Sequence, residues 1–149
     1  MLKYSTVKEN GLEISYFIKS TPEEVYSAWT DAKKVVKWMG LGSVFCEEVE
    51  IDLKVGGHYR INMNTNEGVR IAKGEYKEIV LNEKLVFTWE WEGGTFKNSL
   101  VSIVFTHQDG GTLITLQHTL LPNKENTEHH TQGWEACMIK LESYLTTTS

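Results

Sequence analysis

The chain has 149 residues, 40% of them hydrophobic and 23% charged, with a formal charge of −5 from 15 basic against 20 acidic side chains. That matches a single folded domain over 1–149 with one core, and no stretch approaches the run of about 18 apolar residues that a membrane span needs. The acidic balance argues against a nucleic-acid partner, which requires a concentrated basic surface, and the start of the chain lacks the apolar core of a signal peptide, so a soluble cytoplasmic protein is expected.

Taken in order, the chain opens its pattern at Leu12–Ile18, where Leu12, Ile14 and Tyr16 share one side of a strand. Ser20 or Thr21 can cap a helix with Pro22 at its first position, Glu23 and Glu24 in its first turn, and Val25, Ala28 and Trp29 as its apolar face. It ends near Thr30. Asp31 then caps a second short helix that turns Val35 and Trp38 inward and leaves Lys33, Lys34 and Lys37 to solvent. The breaker-rich stretch from Met39 to Ser43 leads into six strand patterns near Val44–Ile51, His58–Asn64, Val69–Val80, Lys84–Trp91, Ser99–His107 and Thr112–Leu120. Turn residues such as Gly56-Gly57, Gly93-Gly94 and Asp109-Gly110-Gly111 separate them, and loops this short make consecutive strands antiparallel.

Alternation assigns the inward side chains. Tyr59, Ile61 and Met63 form one group, Leu85, Phe87, Trp89 and Trp91 another, then Val101, Ile103 and Phe105, and finally Ile114, Leu116 and His118. From about Asn126 to Leu145 the periodicity becomes helical: Trp134, Met138, Leu141 and Leu145 recur at three-and-four spacing on a helix roughly 30 Å long. One broad apolar helix face and one run of strands imply an α+β architecture in which the sheet covers the helix.

This order resembles the helix-grip fold of the START-related and birch-pollen-allergen-like superfamily, SRPBCC. Within it the chain is similar to the stand-alone bacterial proteins related to the C-terminal domain of the activator of the ninety-kilodalton heat-shock chaperone's ATPase. The residues that carry the resemblance are Pro22–Thr30, Trp38, Asp52–Met63, Gly74–Ile79, Leu85–Trp89, Thr112, His118 and the Gly133-Trp134 pair. The resemblance implies a curved sheet wrapped around the closing helix with a cavity between them, used in the superfamily for apolar ligands. Combined with the alternation, it nominates Trp38, Tyr59, Ile61, Met63, Phe87, Trp89, Ile103, His118, Trp134, Met138 and Leu141 as the lining. Inward apolar positions occur in every sheet, so simple core packing is the competing account for each.

His118 is the sharpest polar candidate. An inward imidazole can hydrogen-bond a ligand carbonyl or act as acid or base near neutral pH; it can equally be a core residue satisfied by its neighbours. No nucleophile elbow, Cys–His signature or phosphate-binding glycine loop accompanies it. Adjacent His129 and His130 point about 100° apart on a helix and make a poor chelate. Cys46 and Cys137, far apart and in no metal-type spacing, read as reduced buried thiols. Neither a cofactor nor a metal is expected. The reading is a binding protein for a hydrophobic or aromatic small molecule. A chaperone-interacting stress-response module and, behind it, an aromatase or cyclase using His118 are the other two. Such folds admit a homodimer, although no coiled-coil seam is present.

Overall fold

The computed structural model describes residues 1–40, 45–65 and 67–147, with side chains except at Phe45 and Thr147. Eight strands form one antiparallel sheet: β1 (Leu2–Val7), β2 (Leu12–Ile18), β3 (Phe45–Ile51), β4 (His58–Thr65), β5 (Gly68–Val80), β6 (Lys84–Trp91), β7 (Ser99–Gln108) and β8 (Gly111–Thr119). Helices α1 (Pro22–Thr30) and α2 (Ala32–Trp38) lie between β2 and β3, and α3 (Lys124–Thr147) closes the chain. The strand order is β1-β2-β8-β7-β6-β5-β4-β3, so α1 and α2 carry the chain from β2, next to one edge, to β3 at the other. This is the α+β helix-grip arrangement expected from the strand series and the closing helix.

The local signals act as the sequence indicates. The Thr21 hydroxyl accepts from the Glu24 backbone N–H at 3.2 Å and caps α1, while Asp31 ends α1 and its carboxylate accepts from Lys33 N at 3.0 Å to start α2. The Trp38 indole donates to the Ala28 carbonyl at 2.9 Å and locks the two helices together. The inward rows all meet in one core: Leu12, Ile14, Tyr16 and Ile18 from β2, Tyr59, Ile61 and Met63 from β4, Leu85, Phe87 and Trp89 from β6, with Trp134, Met138 and Leu141 from α3. α3 lies against β1, β2 and α2.

One strand was not foreseen. β1 is exposed along its whole length and offers no apolar face to be read, yet it pairs with β2 from Leu2↔Tyr16 to Val7↔Leu12. Main-chain pairing and the contacts of the Met1 amine with the Phe17 carbonyl (2.5 Å) and Glu142 (2.9 Å) hold it, and neither leaves a hydropathy pattern. At Gly74 β5 approaches the β6 backbone closely: a Cβ there would lie 1.9 Å from the Thr88 carbonyl oxygen. The Tyr59 hydroxyl reaches the same carbonyl at 2.5 Å, and the Thr88 hydroxyl accepts from Glu75 N at 2.9 Å. Among the described residues, no helix is long and apolar enough to cross a membrane.

Candidate functional site

All five tryptophans form one continuous row through the core. Ring centroids are separated by 4.7 Å from Trp38 to Trp29, 6.0 Å from Trp29 to Trp134, 4.9 Å from Trp134 to Trp89, and 5.5 Å from Trp89 to Trp91. The row joins α2, α1, α3 and β6. Edge-to-face and tilted pairs of this kind add about 0.5–1.5 kcal/mol each beyond their buried area.

Two histidines serve this row as acceptors. The Trp134 indole donates to His118 Nδ1 at 3.0 Å, so that nitrogen carries no proton, and in a neutral ring the proton resides on Nε2. Nε2 lies 2.8 Å from the Ser99 hydroxyl, which itself donates to the Trp89 carbonyl at 2.5 Å. The relay Trp134→His118→Ser99→Trp89 thus assigns the tautomer and leaves neither ring nitrogen free. A second relay runs beside it: Trp91 donates to His130 Nε2 at 3.1 Å, and His130 Nδ1 donates to the Asn126 carbonyl at 2.8 Å. The two imidazoles meet edge to face with centroids 5.0 Å apart. Burial, reinforced by the neighbouring His130, holds His118 well below its ordinary pKa; burial, together with His129 and Arg70, lowers His130 despite its bond to the Asn126 carbonyl. Both ring nitrogens of His118 are thus engaged by buried neighbours, Trp134 on one side and Ser99 on the other.

The interior is closely packed but not completely filled. A partly open pocket with about 20 Å³ of free space, the room of one oxygen-sized group, lies between the α1–α2 pair and the β3–β6 half of the sheet. Its helical wall is Trp29, Val35 and Met39; its sheet wall is Ile51, Tyr59, Ile61, Tyr76, Phe87 and Trp89. None of these side chains is charged, and all except Ile51 are buried. Of the eleven residues nominated from sequence, Tyr59, Ile61, Phe87 and Trp89 wall the void. Trp38, His118 and Trp134 stand one shell away in the aromatic row and its relay, while Met63, Ile103, Met138 and Leu141 pack in the remaining core. Trp29, Val35, Met39, Ile51 and Tyr76 complete the wall without having been nominated. Trp29 and Val35 were legible as inward helix positions; what alternation does not reveal is that the helix pair, and not α3, overlies the unfilled space.

The polar inventory of the row is uneven. Trp38, Trp91 and Trp134 donate to named acceptors, whereas the Nε1 atoms of Trp29 and Trp89 are fully buried and have no acceptor among the described residues. These two unpaired donors belong to the two tryptophans that wall the void. The buried thiols are committed elsewhere: Cys46 donates to the Met39 carbonyl at 3.1 Å, and Cys137 lies 3.5 Å from the Gly40 carbonyl. Among the described residues no group of three His, Cys, Asp or Glu side chains comes together to hold a metal ion. A much larger concavity lies open to solvent on the outer face of the sheet, around Arg60, Lys73, Glu75 and Glu90, but its charged side chains are solvated and partly paired.

The model of the "Activator of Hsp90 ATPase homolog 1-like protein" family matches residues 19–146. The chain belongs to this family. Among solved structures, a protein from Mycobacterium smegmatis superposes with a TM-score of 0.86 at 18% identity, covering 100% of this chain and 99% of that one. A Staphylococcus aureus protein of unknown function reaches 0.80 at 24% identity over 95% and 96% of the two chains. The solution structure of an AHSA1-like protein from Aeromonas hydrophila gives 0.78 at 19% identity over 92% of each. At these identities the likeness concerns the fold. No curated protein matches the sequence.

Proposed function

We propose that this member of the Hsp90-activator-like family is a binding protein that takes an apolar or aromatic small molecule into its interior. The observation that carries the reading is the aromatic-walled void between α1–α2 and strands β3–β6, which adjoins a continuous row of five tryptophans. A fully optimised core has no use for such a row beyond packing; a ligand site gains from it a large, rigid, apolar contact surface. The void holds only an oxygen-sized group, so a ligand must displace side chains on entry. Met39, unbranched and placed at the C-cap of α2, is the wall residue that yields at least cost. Native mass spectrometry of protein purified from its own host tests the reading: a bound small molecule released on unfolding supports it, and a bare protein mass with no tryptophan-fluorescence response to fatty acids or aromatics contradicts it.

A second reading rests on the family description itself, which refers to activation of a chaperone ATPase. In that reading the chain docks on a chaperone as a stress-response module. Affinity capture from host lysate tests it, with chaperone enrichment as the supporting result and its absence as the contrary one.

A further inference from the structure

Resting on the enclosure reading above, the unpaired donors point to the chemistry of what is enclosed. We propose that the void is the polar end of the ligand site, where the indole N–H groups of Trp29 and Trp89 together hold an uncharged carbonyl oxygen of an aromatic ligand. A buried N–H without an acceptor costs about 1–3 kcal/mol, and natural cores rarely contain two on one void. Both indoles are constrained: Trp29 packs between Trp38 and Trp134, and Trp89 between Trp134 and Trp91, in edge-to-face and tilted contacts, so neither ring turns to find another partner without breaking the row. Both indoles belong to residues that wall this one small space, which has room for an oxygen atom.

The charge of that oxygen follows from the walls. A carboxylate would satisfy both donors, but among the described residues none of the nine wall side chains is cationic, and a buried charge without a counter-charge is penalised far more than two neutral hydrogen bonds return. The Tyr59 hydroxyl, another donor among the wall residues, is already committed to the Thr88 carbonyl. A ketone, ester, lactone, amide or quinone oxygen fits; an acid or a plain hydrocarbon does not. Tyr59, Tyr76 and Phe87 pack with ring centroids 5.3 to 6.0 Å apart and offer an aromatic body the same edge-to-face contacts they now make with each other.

Three probes of one shape separate the terms: acetophenone, α-methylstyrene with a methylene group in place of the oxygen, and benzoate. Titrated by calorimetry into the full chain near neutral pH, acetophenone is expected to bind about tenfold or more tightly than either of the others. Trp29→Phe and Trp89→Phe keep an aromatic ring and remove the N–H; each should weaken acetophenone about fivefold and leave α-methylstyrene within about twofold. Should a variant fail to fold, the wild-type protein labelled at the indole nitrogens gives the same answer: acetophenone moves the Trp29 and Trp89 N–H resonances and α-methylstyrene does not. Equal affinity for the ketone and the alkene overturns the assignment of the donors while leaving enclosure standing. Absence of binding by all three overturns enclosure and the assignment with it.

Discussion

The Trp134 indole donates to His118 Nδ1 across 3.0 Å, and this bond joins the middle of the closing helix to the last strand of the sheet through two buried side chains. His118 accepts at Nδ1 and donates from Nε2 to the Ser99 hydroxyl oxygen. Replacing His118 by Leu leaves the Trp134 N–H and the Ser99 oxygen unpaired in the core and should cost about 2–4 kcal/mol of stability. His118→Gln keeps an acceptor and a donor near the same positions and should cost less than half as much. Urea denaturation of the two variants checks the order; equal losses would show that volume, and not the relay, is what His118 supplies.

Stability should fall on mild acidification. His118 and His130 are both held neutral in the folded protein, so their folded pKa values lie below the unfolded value of about 6.5. Below that pH the unfolded chain binds protons that the folded chain refuses, and stability drops as pH falls, by up to about 1.4 kcal/mol per pH unit for each histidine. The contribution is fully present above about pH 7. Denaturation curves from pH 8 to pH 5 should show this slope, and His118→Gln should remove the larger part of it; a flat profile would mean the relays tolerate imidazolium.

Two glycines should respond in opposite directions to the same change. Gly74→Ala places a Cβ against the Thr88 carbonyl at 1.9 Å and the Tyr59 hydroxyl at 2.8 Å, so β5 and β6 must separate at this close approach, with a loss of about 3 kcal/mol or more. Gly133 lies inside α3 with open space where a Cβ would go, and Gly133→Ala should stabilise by about 0.5–1 kcal/mol through helix propensity. Thermal melts of both variants decide.

The thiols should be silent in the native protein. Burial pushes Cys46 up to about 12 and Cys137 up to about 11, far from the range in which a thiolate forms at neutral pH. An aromatic disulfide reagent at pH 8 should label neither over the time in which it labels both in denaturant. Fast native labelling would place one of them at the surface.

Much of this molecule was readable from residue order because its determinants are local. Thr21, Asp31 and the glycine turns act through backbone chemistry at their own positions, and the inward rows of β4, β6, β7 and β8 follow from strand alternation alone. β1 escaped because an exposed edge strand held by main-chain pairing has no hydropathy pattern. The site was partly legible for a different reason. Alternation tells which side chains face the interior, and it placed Tyr59, Ile61, Phe87 and Trp89 there; it does not tell where facing volumes fail to fill space. That depends on how closely α1 and α2 approach the sheet, a matter of tertiary packing such as the Trp38 bond to Ala28 and the contact of Trp29 with Trp134. The unpaired indoles have no sequence signature, since Trp91 and Trp134 carry the same group and find histidines.

A crystal structure of the protein soaked with acetophenone is the decisive measurement. The ketone is expected among the wall residues that include Trp29 and Trp89, its oxygen within hydrogen-bonding distance of both indole nitrogens and Met39 displaced from the wall. Acetophenone bound only on the outer face, with the void unchanged or holding a water molecule, would contradict the proposed site.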